Sequence, residues 1–235
     1  MLHALILLAF APPVSSAVSA SDIVARMLHA DSERAAALKG YVGTRRYTFE
    51  NKRVGKRAEM TVRVVCDESG AKTFEVISES GSGFVRKRVL RKMIDAEQEA
   101  SRKGEREQTR IEPRNYDFHL TGTDVMNGRR AYVFEIAPRT ENKFLIRGRI
   151  WVDAEDFAIA RIEGQPAKNP SFWIKSVRVV QQYGRSGQFW LPAANESHAE
   201  ARIFGATDVA IQYFDYVVGE QKANLQQTRD EGRQP

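Results

Sequence analysis

The fold is decided by the segment Lys143-Phe144-Leu145-Ile146-Arg147-Gly148-Arg149-Ile150-Trp151-Val152-Asp153. Its residues alternate with a period of two, which is typical of a β-strand whose successive side chains point to opposite faces of a sheet. One face carries Phe144, Ile146, Gly148, Ile150 and Val152. The opposite face is mixed and carries Leu145, Arg147, Arg149, Trp151 and Asp153. A strand of this kind indicates an antiparallel sheet that is covered on one side.

The same alternation recurs along the chain and predicts about ten strands in total. Phe74 and Val76 share a face of one strand, and Phe134 and Ile136 share a face of another. Asn127-Gly128 is a strong hairpin signal between two of the segments. The predicted strands are residues 41–49, 58–66, 72–80, 116–120 continuing at 122–126, 130–137, 143–153, 157–163, 172–183, 189–204 and 207–218.

Two segments have helical periodicity instead. The first begins after Asp22, a predicted N-cap, and ends near Gly40. The second spans residues 84–103, with Leu90 and Met93 among its apolar positions. It follows the glycine-rich stretch Gly81-Ser82-Gly83, and its first turns are strongly basic. These basic residues are Arg86, Lys87, Arg88, Arg91 and Lys92.

Together these patterns predict a mainly β fold of the α+β class. No alternation of strand, helix and strand occurs, so a parallel sheet is not expected. We expect one large, curved antiparallel sheet, or an incomplete barrel, covered by an N-terminal helix and by the helix interposed between strands.

The N-terminus predicts export. Residues 1–20 contain an apolar stretch that is too short to span a bilayer, followed by the small residues Val18-Ser19-Ala20. Cleavage is expected after Ala20, with Ala17 as the alternative, although no Lys or Arg precedes the apolar run. The other interpretation, a buried N-terminal helix, conflicts with Pro12-Pro13. The expected organisation is a signal peptide at 1–20, one domain at 21–218 and a polar, disordered tail at 219–235.

The charge and composition of the chain limit the classes of partner that we expect it to bind. The net charge is +6 and the pI is about 9.5, which favours anionic partners such as lipid headgroups or acidic proteins. Nucleic acid is not expected, because the basic residues are spread out and no aromatic-basic motif accompanies them. Cys66 is the only cysteine, so it forms no intramolecular disulfide and does not mark a lipid anchor at the cleavage site. The mature protein is therefore predicted to be a soluble periplasmic protein.

Motifs for catalysis do not occur in the sequence. His29, His119 and His198 have no second ligand at zinc-like spacing, and Ser80-Gly81-Ser82-Gly83 does not match a nucleophile elbow. A phosphate-binding loop and a dinucleotide-binding motif are also missing. We therefore predict no enzyme, no catalytic residues, no metal site and no cofactor.

The apolar sheet face allows two interpretations. The two helices fill a solid core, or they close it imperfectly and leave an apolar cavity for a ligand. On the second interpretation the candidate cavity residues are Phe74, Val76, Leu90, Met93, Phe134, Ile136, Phe144, Ile146 and Ile150. Arg86, Lys87, Arg88 and Arg91 would then form the basic rim of a helical lid hinged at the glycines.

Two further motifs carry a family resemblance. Ile150-Trp151-Val152-Asp153 is followed, after a turn, by Phe157-Ala158-Ile159-Ala160-Arg161-Ile162, and Gly187-Gln188-Phe189-Trp190-Leu191-Pro192 leads into the last hairpin. With the signal peptide and the two helices, these segments resemble the LolA/LolB superfamily of lipoprotein carriers, which includes the stress sensor RseB. The resemblance covers most of the mature chain.

The resemblance implies an incomplete barrel with helices over an apolar cavity that takes acyl chains. It favours a soluble periplasmic carrier of lipid, or of the acyl chains of lipoproteins, that serves outer-membrane lipoprotein sorting. The alternative that it implies is an RseB-like envelope-stress sensor, a regulatory binding module that acts on an inner- or outer-membrane protein partner.

Overall fold

The structure is a computed structural model that describes residues 18–101, 107–169, 172, 174–203 and 205–219. The strands are β1 Tyr41–Asn51, β2 Lys56–Cys66, β3 Lys72–Gly81, β4 Tyr116–Met126, β5 Arg129–Pro138, β6 Ile146–Asp153, β7 Ile159–Pro166, β8 Ile174–Ser186, β9 Phe189–Ala201 and β10 Gly205–Val218. The helix α1 spans Ala20–Ala37 and precedes β1. A second helix, called the interposed helix below, lies between β3 and β4.

The ten strands form one antiparallel sheet in the order β3-β2-β1-β10-β9-β8-β7-β6-β5-β4. Each strand pairs with strands that are next to it in the sequence, with one exception, the pair of β1 and β10. In that pair Tyr41 lies opposite Val218. The sheet does not close into a barrel, because β3 and β4 remain at its two edges. The predicted fold class is therefore confirmed.

The start of α1 differs from the prediction. Ser19, and not Asp22, is the N-cap, because the Ser19 Oγ accepts a hydrogen bond of 3.1 Å from the Asp22 backbone N–H. Asp22 lies instead in the first turn, where its charge complements the helix dipole. The helix buries Ile23 and Met27 on one face and ends at Ala37, before Gly40.

The interposed helix is continuous but changes its hydrogen bonding. It is α-helical at α2 Gly83–Val85, π-helical at Arg86–Leu90 and α-helical again at α3 Arg91–Ala100. Val85 and Leu90 are five residues apart and are both buried. A π-helical turn, with hydrogen bonds from i to i+5, brings such a pair onto one side, whereas a regular α-helix separates them.

The apolar face of the sheet is divided between the two helices. The first buried cluster, called the interposed-helix core, consists of Tyr41, Tyr47, Phe49, Ala58, Met60, Val62, Val64, Cys66, Val85, Leu90, Ile94, Phe189, Leu191 and Ile211. The second, called the α1 core, consists of Ile23, Val24, Met27, Tyr116, Phe134, Ile136, Leu145, Ile150 and Val152. Each helix therefore covers its own half of the sheet.

The strands β6 and β7 approach each other closely at the cross-strand pair Gly148 and Gly164. A Cβ atom at Gly148 would overlap the carbonyl oxygen of Glu163 and lie 2.5 Å from the Gly164 Cα. A Cβ atom at Gly164 would lie 2.7 Å from the Ile146 Cγ2. Only glycine fits such an approach of two backbones.

Residues 1–17 of the predicted signal peptide and residues 220–235 of the predicted tail lie outside the described residues. Their predicted roles remain predictions. Within the part of the chain that the structure describes, none of the helices has the length and apolar composition that crossing a membrane requires.

Candidate functional site

A cavity of about 410 Å³ lies beneath α1. It is lined by α1, the segment that leads into β4, the start of β6, the β6–β7 turn with β7, and the β8–β9 hairpin. Its lining residues are Met27, Leu28, Asp31, Arg34, Thr109, Arg110, Ile111, Tyr116, Phe144, Ile146, Ala158, Ile159, Ile162, Tyr183 and Trp190. Its volume falls in the range of about 300–1,000 Å³ that is usual for small-molecule sites.

The walls of this cavity are mostly apolar. Met27 and Leu28 come from α1, and Ile146, Ile159 and Ile162 come from β6 and β7. A larger groove of about 930 Å³ also exists, but charged side chains line much of it, including those of Glu50, Arg57, Glu59, Glu196 and Asp208. The cavity beneath α1 is therefore the better candidate for an apolar ligand.

Three charged residues of the described part of the chain line the cavity, Asp31, Arg34 and Arg110, and two of them compensate each other. Asp31 and Arg110 form an ion pair of 2.7 Å between the Asp31 Oδ2 and Arg110 Nη2 atoms. Burial raises the pKa of Tyr116, and the Ile146 N–H, which donates to the Tyr116 Oη at 3.0 Å, acts in the opposite direction. Burial also raises the pKa of Tyr183 to about 12. Both phenols are therefore neutral at physiological pH.

The β6–β7 turn contributes Ala158 to the lining of the cavity and is bonded to both α1 and β9. The Arg34 Nη1 of α1 donates to the backbone oxygen of Asp156 at 2.9 Å. The Trp190 Nε1 of β9 donates to the Asp156 Oδ2 at 3.0 Å. Phe157, the next residue, has a φ of 48°, a strained conformation for a bulky side chain. This turn thus fixes the C-terminal half of α1 and the β8–β9 hairpin around the cavity.

The turn itself is held by a buried carboxylate. Asp153 is 2% exposed and receives two hydrogen bonds from Arg129, at 2.6 and 2.7 Å. Burial alone would raise the pKa of Asp153, but the bonds from Arg129 and from the backbone N–H groups of Glu155 and Asp156 hold it below its ordinary value. The conformation of the turn is therefore set by charge-assisted hydrogen bonds.

The structure separates the residues predicted to line one cavity. Leu90 lies in the interposed-helix core, with Phe74, Val76 and Met93 packed against it. Phe134, Ile136 and Ile150 are completely buried in the α1 core. Phe144 and Ile146 are the two predicted residues that line the cavity beneath α1. The ligand contacts of all nine residues remain a prediction.

Phe144 occupies a different environment from the one predicted. β6 begins at Ile146 rather than at residue 143, so Phe144 precedes the strand and its alternation. Phe144 is 46% exposed, whereas Leu145, predicted on the mixed face, is 1% exposed and packs in the α1 core. Phe144 therefore lies at the open side of the cavity rather than deep within it.

The predicted basic rim lies on the interposed helix, and its members do not line the cavity beneath α1. Arg86 and Arg91 both pair with Glu79 of β3, at 2.5 and 2.9 Å. Lys87 and Arg88 are exposed. The role of these residues as the rim of a lid remains a prediction.

Several residues of the site could not be recognised from the sequence. Tyr183 and Trp190 come from the β8–β9 hairpin, which is distant in sequence from α1. The apolar stripe of α1 contains Met27 and Leu28, and that stripe was the available signal for the wall that the helix forms.

A buried ion cluster joins the interposed helix to the sheet. Arg45 of β1 is 2% exposed, and its Nη1 lies 2.5 Å from the Glu97 Oε2 of α3. The Lys72 Nζ of β3 lies 2.7 Å from the Glu97 Oε1. The Arg45 guanidinium also stacks on the ring of Tyr213, 4.8 Å from its centroid. Strand alternation places Arg45 on the same face as Tyr47 and Phe49. An arginine on an apolar strand face was the signal in the sequence that could have indicated a buried charge.

This cluster predicts an acid-sensitive stability. Burial alone would raise the pKa of Glu97, but Lys72 and Arg45 hold it below its ordinary value. The contribution of ionised Glu97 to the free energy of unfolding is therefore complete above the pKa of glutamate in the unfolded chain, about 4.3. It is lost as the pH falls through the lower pKa of Glu97 in the folded protein. We expect wild type to lose unfolding free energy more steeply than Glu97→Gln between about pH 5 and pH 3. Denaturant unfolding at several pH values measures this, and equal slopes would contradict it.

Among the described residues, no group of three or more His, Cys, Asp or Glu side chains is placed to hold a metal ion. His29 lies 3.4 Å from Glu33, and His198 lies 2.7 Å from Asp208, both at the surface. The prediction that the protein is not an enzyme remains a prediction.

Comparison with known proteins gives distant similarities. The model of a family of unknown function, DUF5686, matches residues 113–217, which is less than half of the chain. No curated protein matches the sequence. A solved DUF1329 family protein from Desulfovibrio piger is 10% identical, with a TM-score of 0.42 over 85% of this chain and 93% of its own.

Two further solved structures are also similar. The LolA superfamily protein NE2245 from Nitrosomonas europaea is 10% identical, with a TM-score of 0.38 over 87% of this chain and 95% of its own. A chain of the Pseudomonas aeruginosa MucA/MucB complex is 13% identical, with a TM-score of 0.30 over 86% of this chain and 95% of its own. The LolA superfamily, which the sequence resembles, is thus represented among the similar solved structures. Their identities and TM-scores are low, so nothing about the function of this chain follows from them.

Proposed function

We propose that the protein is a periplasmic carrier that binds lipid, or the acyl chains of lipoproteins, for sorting to the outer membrane. The observation that carries this proposal is the cavity of about 410 Å³ beneath α1, with its mostly apolar walls. An acyl chain gains about 0.8 kcal/mol for each CH₂ group that leaves water, so a cavity of this kind favours such a ligand strongly.

The surroundings of the cavity support a flexible, apolar ligand over a polar one. Its tyrosines are neutral, and the charges of Asp31 and Arg110 compensate each other. Arg34 is engaged with the backbone of the β6–β7 turn and is not free to bind an anion deep in the cavity. A ligand would enter beside the exposed ring of Phe144 and lie against the isoleucines of β6 and β7.

The periplasmic location is part of the proposal. It rests on the apolar stretch and small-residue cleavage pattern of residues 1–20. Mass spectrometry of the mature N-terminus after expression in a Gram-negative host tests it. A mature chain that retains residues 1–20 would contradict export by cleavage.

The proposal that the cavity beneath α1 binds the ligand is tested by filling the cavity with a larger side chain. Replacement of Ile159 by tryptophan places a larger ring in the cavity, and we expect the affinity for a fluorescent long-chain fatty acid to fall about tenfold or more. The matched control is Ile77→Trp, because Ile77 is 57% exposed on β3 and does not line the cavity. Fluorescence titration of both variants measures the effect.

Two results would count against the carrier function. One is a wild-type protein that binds no fatty-acid probe and from which extraction without detergent yields no acyl-chain species. The other is an equal loss of affinity in Ile159→Trp and Ile77→Trp, which would place the bound probe elsewhere. Circular dichroism and thermal unfolding establish that both variants are folded.

A further inference from the structure

The outward side of the interposed helix, near its N-terminus, combines an exposed aromatic ring with uncompensated positive charge. Phe84 is 70% exposed. Lys87 and Arg88, three and four residues further on, are exposed on the adjoining turn of the same helix. Lys92 is exposed in the turn after that. These four residues are called the Phe84 patch below.

The charge of this patch is one-sided. Between Gly83 and Lys92 the chain has five basic residues and no acidic residue. Glu79 binds Arg86 and Arg91 and compensates part of that charge. Among the described residues, no carboxylate forms an ion pair with Lys87, Arg88 or Lys92. The patch therefore presents about three positive charges around one apolar ring.

The exposure of Phe84 is built into the fold. Its neighbour Val85 is 2% exposed and Leu90 is completely buried, so the inner side of the helix is fixed against the sheet. The backbone N–H of Ser82 donates to the oxygen of Arg57 at 2.8 Å, which fixes the start of the helix to β2. A helix held in this way must direct Phe84 to the outside.

We propose that the Phe84 patch docks the protein onto an anionic lipid surface. Lysine and arginine side chains are attracted to anionic headgroups, with about a fivefold gain in affinity for each charge near the surface. An aromatic side chain on the same face enters the boundary between headgroups and acyl chains. A planar membrane surface satisfies both the exposed ring and the charges that surround it. This docking uses the interposed helix, whereas the cavity lies beneath α1, so it does not depend on the carrier function.

The test uses the full chain and vesicles of phosphatidylcholine, with or without phosphatidylglycerol. We expect wild type to sediment with the phosphatidylglycerol vesicles and to be released by salt, because exposed charges are screened. Combined replacement of Lys87, Arg88 and Lys92 by glutamate should weaken binding by more than about 100-fold, because three positive charges are removed and three negative charges are added. Phe84→Ser should weaken it about tenfold, since the ring then no longer leaves water.

The chain offers matched controls for both changes. Phe172 is 76% exposed and lies under Arg202, 5.1 Å from the guanidinium carbon to the ring centroid, so Phe172→Ser removes an exposed ring beside a cation elsewhere. Arg147 and Arg149 are exposed on β6, so their replacement by glutamate reverses charge away from the patch. Both controls should bind vesicles within about threefold of wild type.

Three results would overturn the proposal. The first is equal binding to vesicles with and without phosphatidylglycerol. The second is an equal loss of binding in the patch variants and in the controls. The third is a wild-type protein that does not bind the vesicles but retains an acidic membrane protein from envelope extracts through the Phe84 patch. That result would make the partner a protein. Ile159→Trp should bind vesicles like wild type, so failure of the carrier function and failure of membrane docking can be told apart.

Discussion

Replacement of Glu97 by alanine is expected to lower the free energy of unfolding by about 3 kcal/mol. The reason is Arg45, which is 2% exposed and would keep its charge in the interposed-helix core without its carboxylate. A buried charge that loses its partner costs far more than the ion pair contributed. Because Glu97 is itself about 30% exposed, water reaches part of the cluster, and the effect should fall at the lower end of the usual range.

Chemical denaturation measures this loss of unfolding free energy. Two further variants, a control and a double replacement, show whether the buried charge of Arg45 causes it. Glu33→Ala on α1 is the matched control, since Glu33 is 68% exposed and its ion-pair partner among the described residues is the exposed His29, so its effect should stay within about 0.5 kcal/mol. The double variant Arg45→Met with Glu97→Leu should recover most of the loss, because it removes the buried charge altogether. A Glu97→Ala protein as stable as Glu33→Ala would show that Arg45 reaches water in solution.

Replacement of Gly148 by alanine is the second change with a large expected effect, a loss of about 3 kcal/mol of unfolding free energy. The added Cβ would overlap the carbonyl oxygen of Glu163, and the atom next to it, the Gly164 Cα, would be 2.5 Å away. Both obstacles are backbone atoms of β7, so relief requires the two strands to move apart. That movement would disturb Ile146, which lines the cavity, and should also weaken fatty-acid binding.

The control for this change is another strand glycine. Gly184 of β8 has room for a methyl group, because the nearest atom to a Cβ added there is the Ala193 Cβ at 3.5 Å. Gly184→Ala should therefore change the unfolding free energy by less than about 1 kcal/mol and can be stabilising, since alanine restricts the unfolded chain. Thermal unfolding of the two variants compares them directly. Equal stability of Gly148→Ala and Gly184→Ala would mean that β6 and β7 are further apart than the structure shows.

Local patterns in the sequence were sufficient to predict the sheet. Alternation in segments such as 143–153 depends only on neighbouring residues, and the turn at Asn127-Gly128 fixes a hairpin between adjacent strands. Because nearly all strand pairs are adjacent in sequence, local signals also gave most of the strand order. The pairing of β1 with β10 had no local signal.

The division of the apolar face into two cores was not predictable in this way. Alternation assigns a side chain to a face, but it does not say which helix covers that part of the face. Phe74 and Phe134 share an apolar pattern, yet they pack beneath different helices. The predicted set of cavity residues therefore joined two groups that the fold keeps apart.

The true cavity depends on contacts between distant segments. Met27, Ile159 and Trp190 meet only because α1, β7 and the β8–β9 hairpin are brought together by the β6–β7 turn. The π-helical turn at Arg86–Leu90 was also missed, since it follows from burying both Val85 and Leu90 rather than from any local propensity.

The pairing of β1 with β10 also determines how the chain must fold. Tyr41 lies opposite Val218 in the sheet, so two interior strands join residues from opposite ends of the domain. Contacts of such high sequence separation are formed late, because the chain must first close a very long loop. During synthesis from the N-terminus, one backbone edge of β1 stays unpaired until β10 has been made. The folding rate should therefore be set by the last strand, and the intermediate that waits for it is the species most exposed to aggregation and to chaperones.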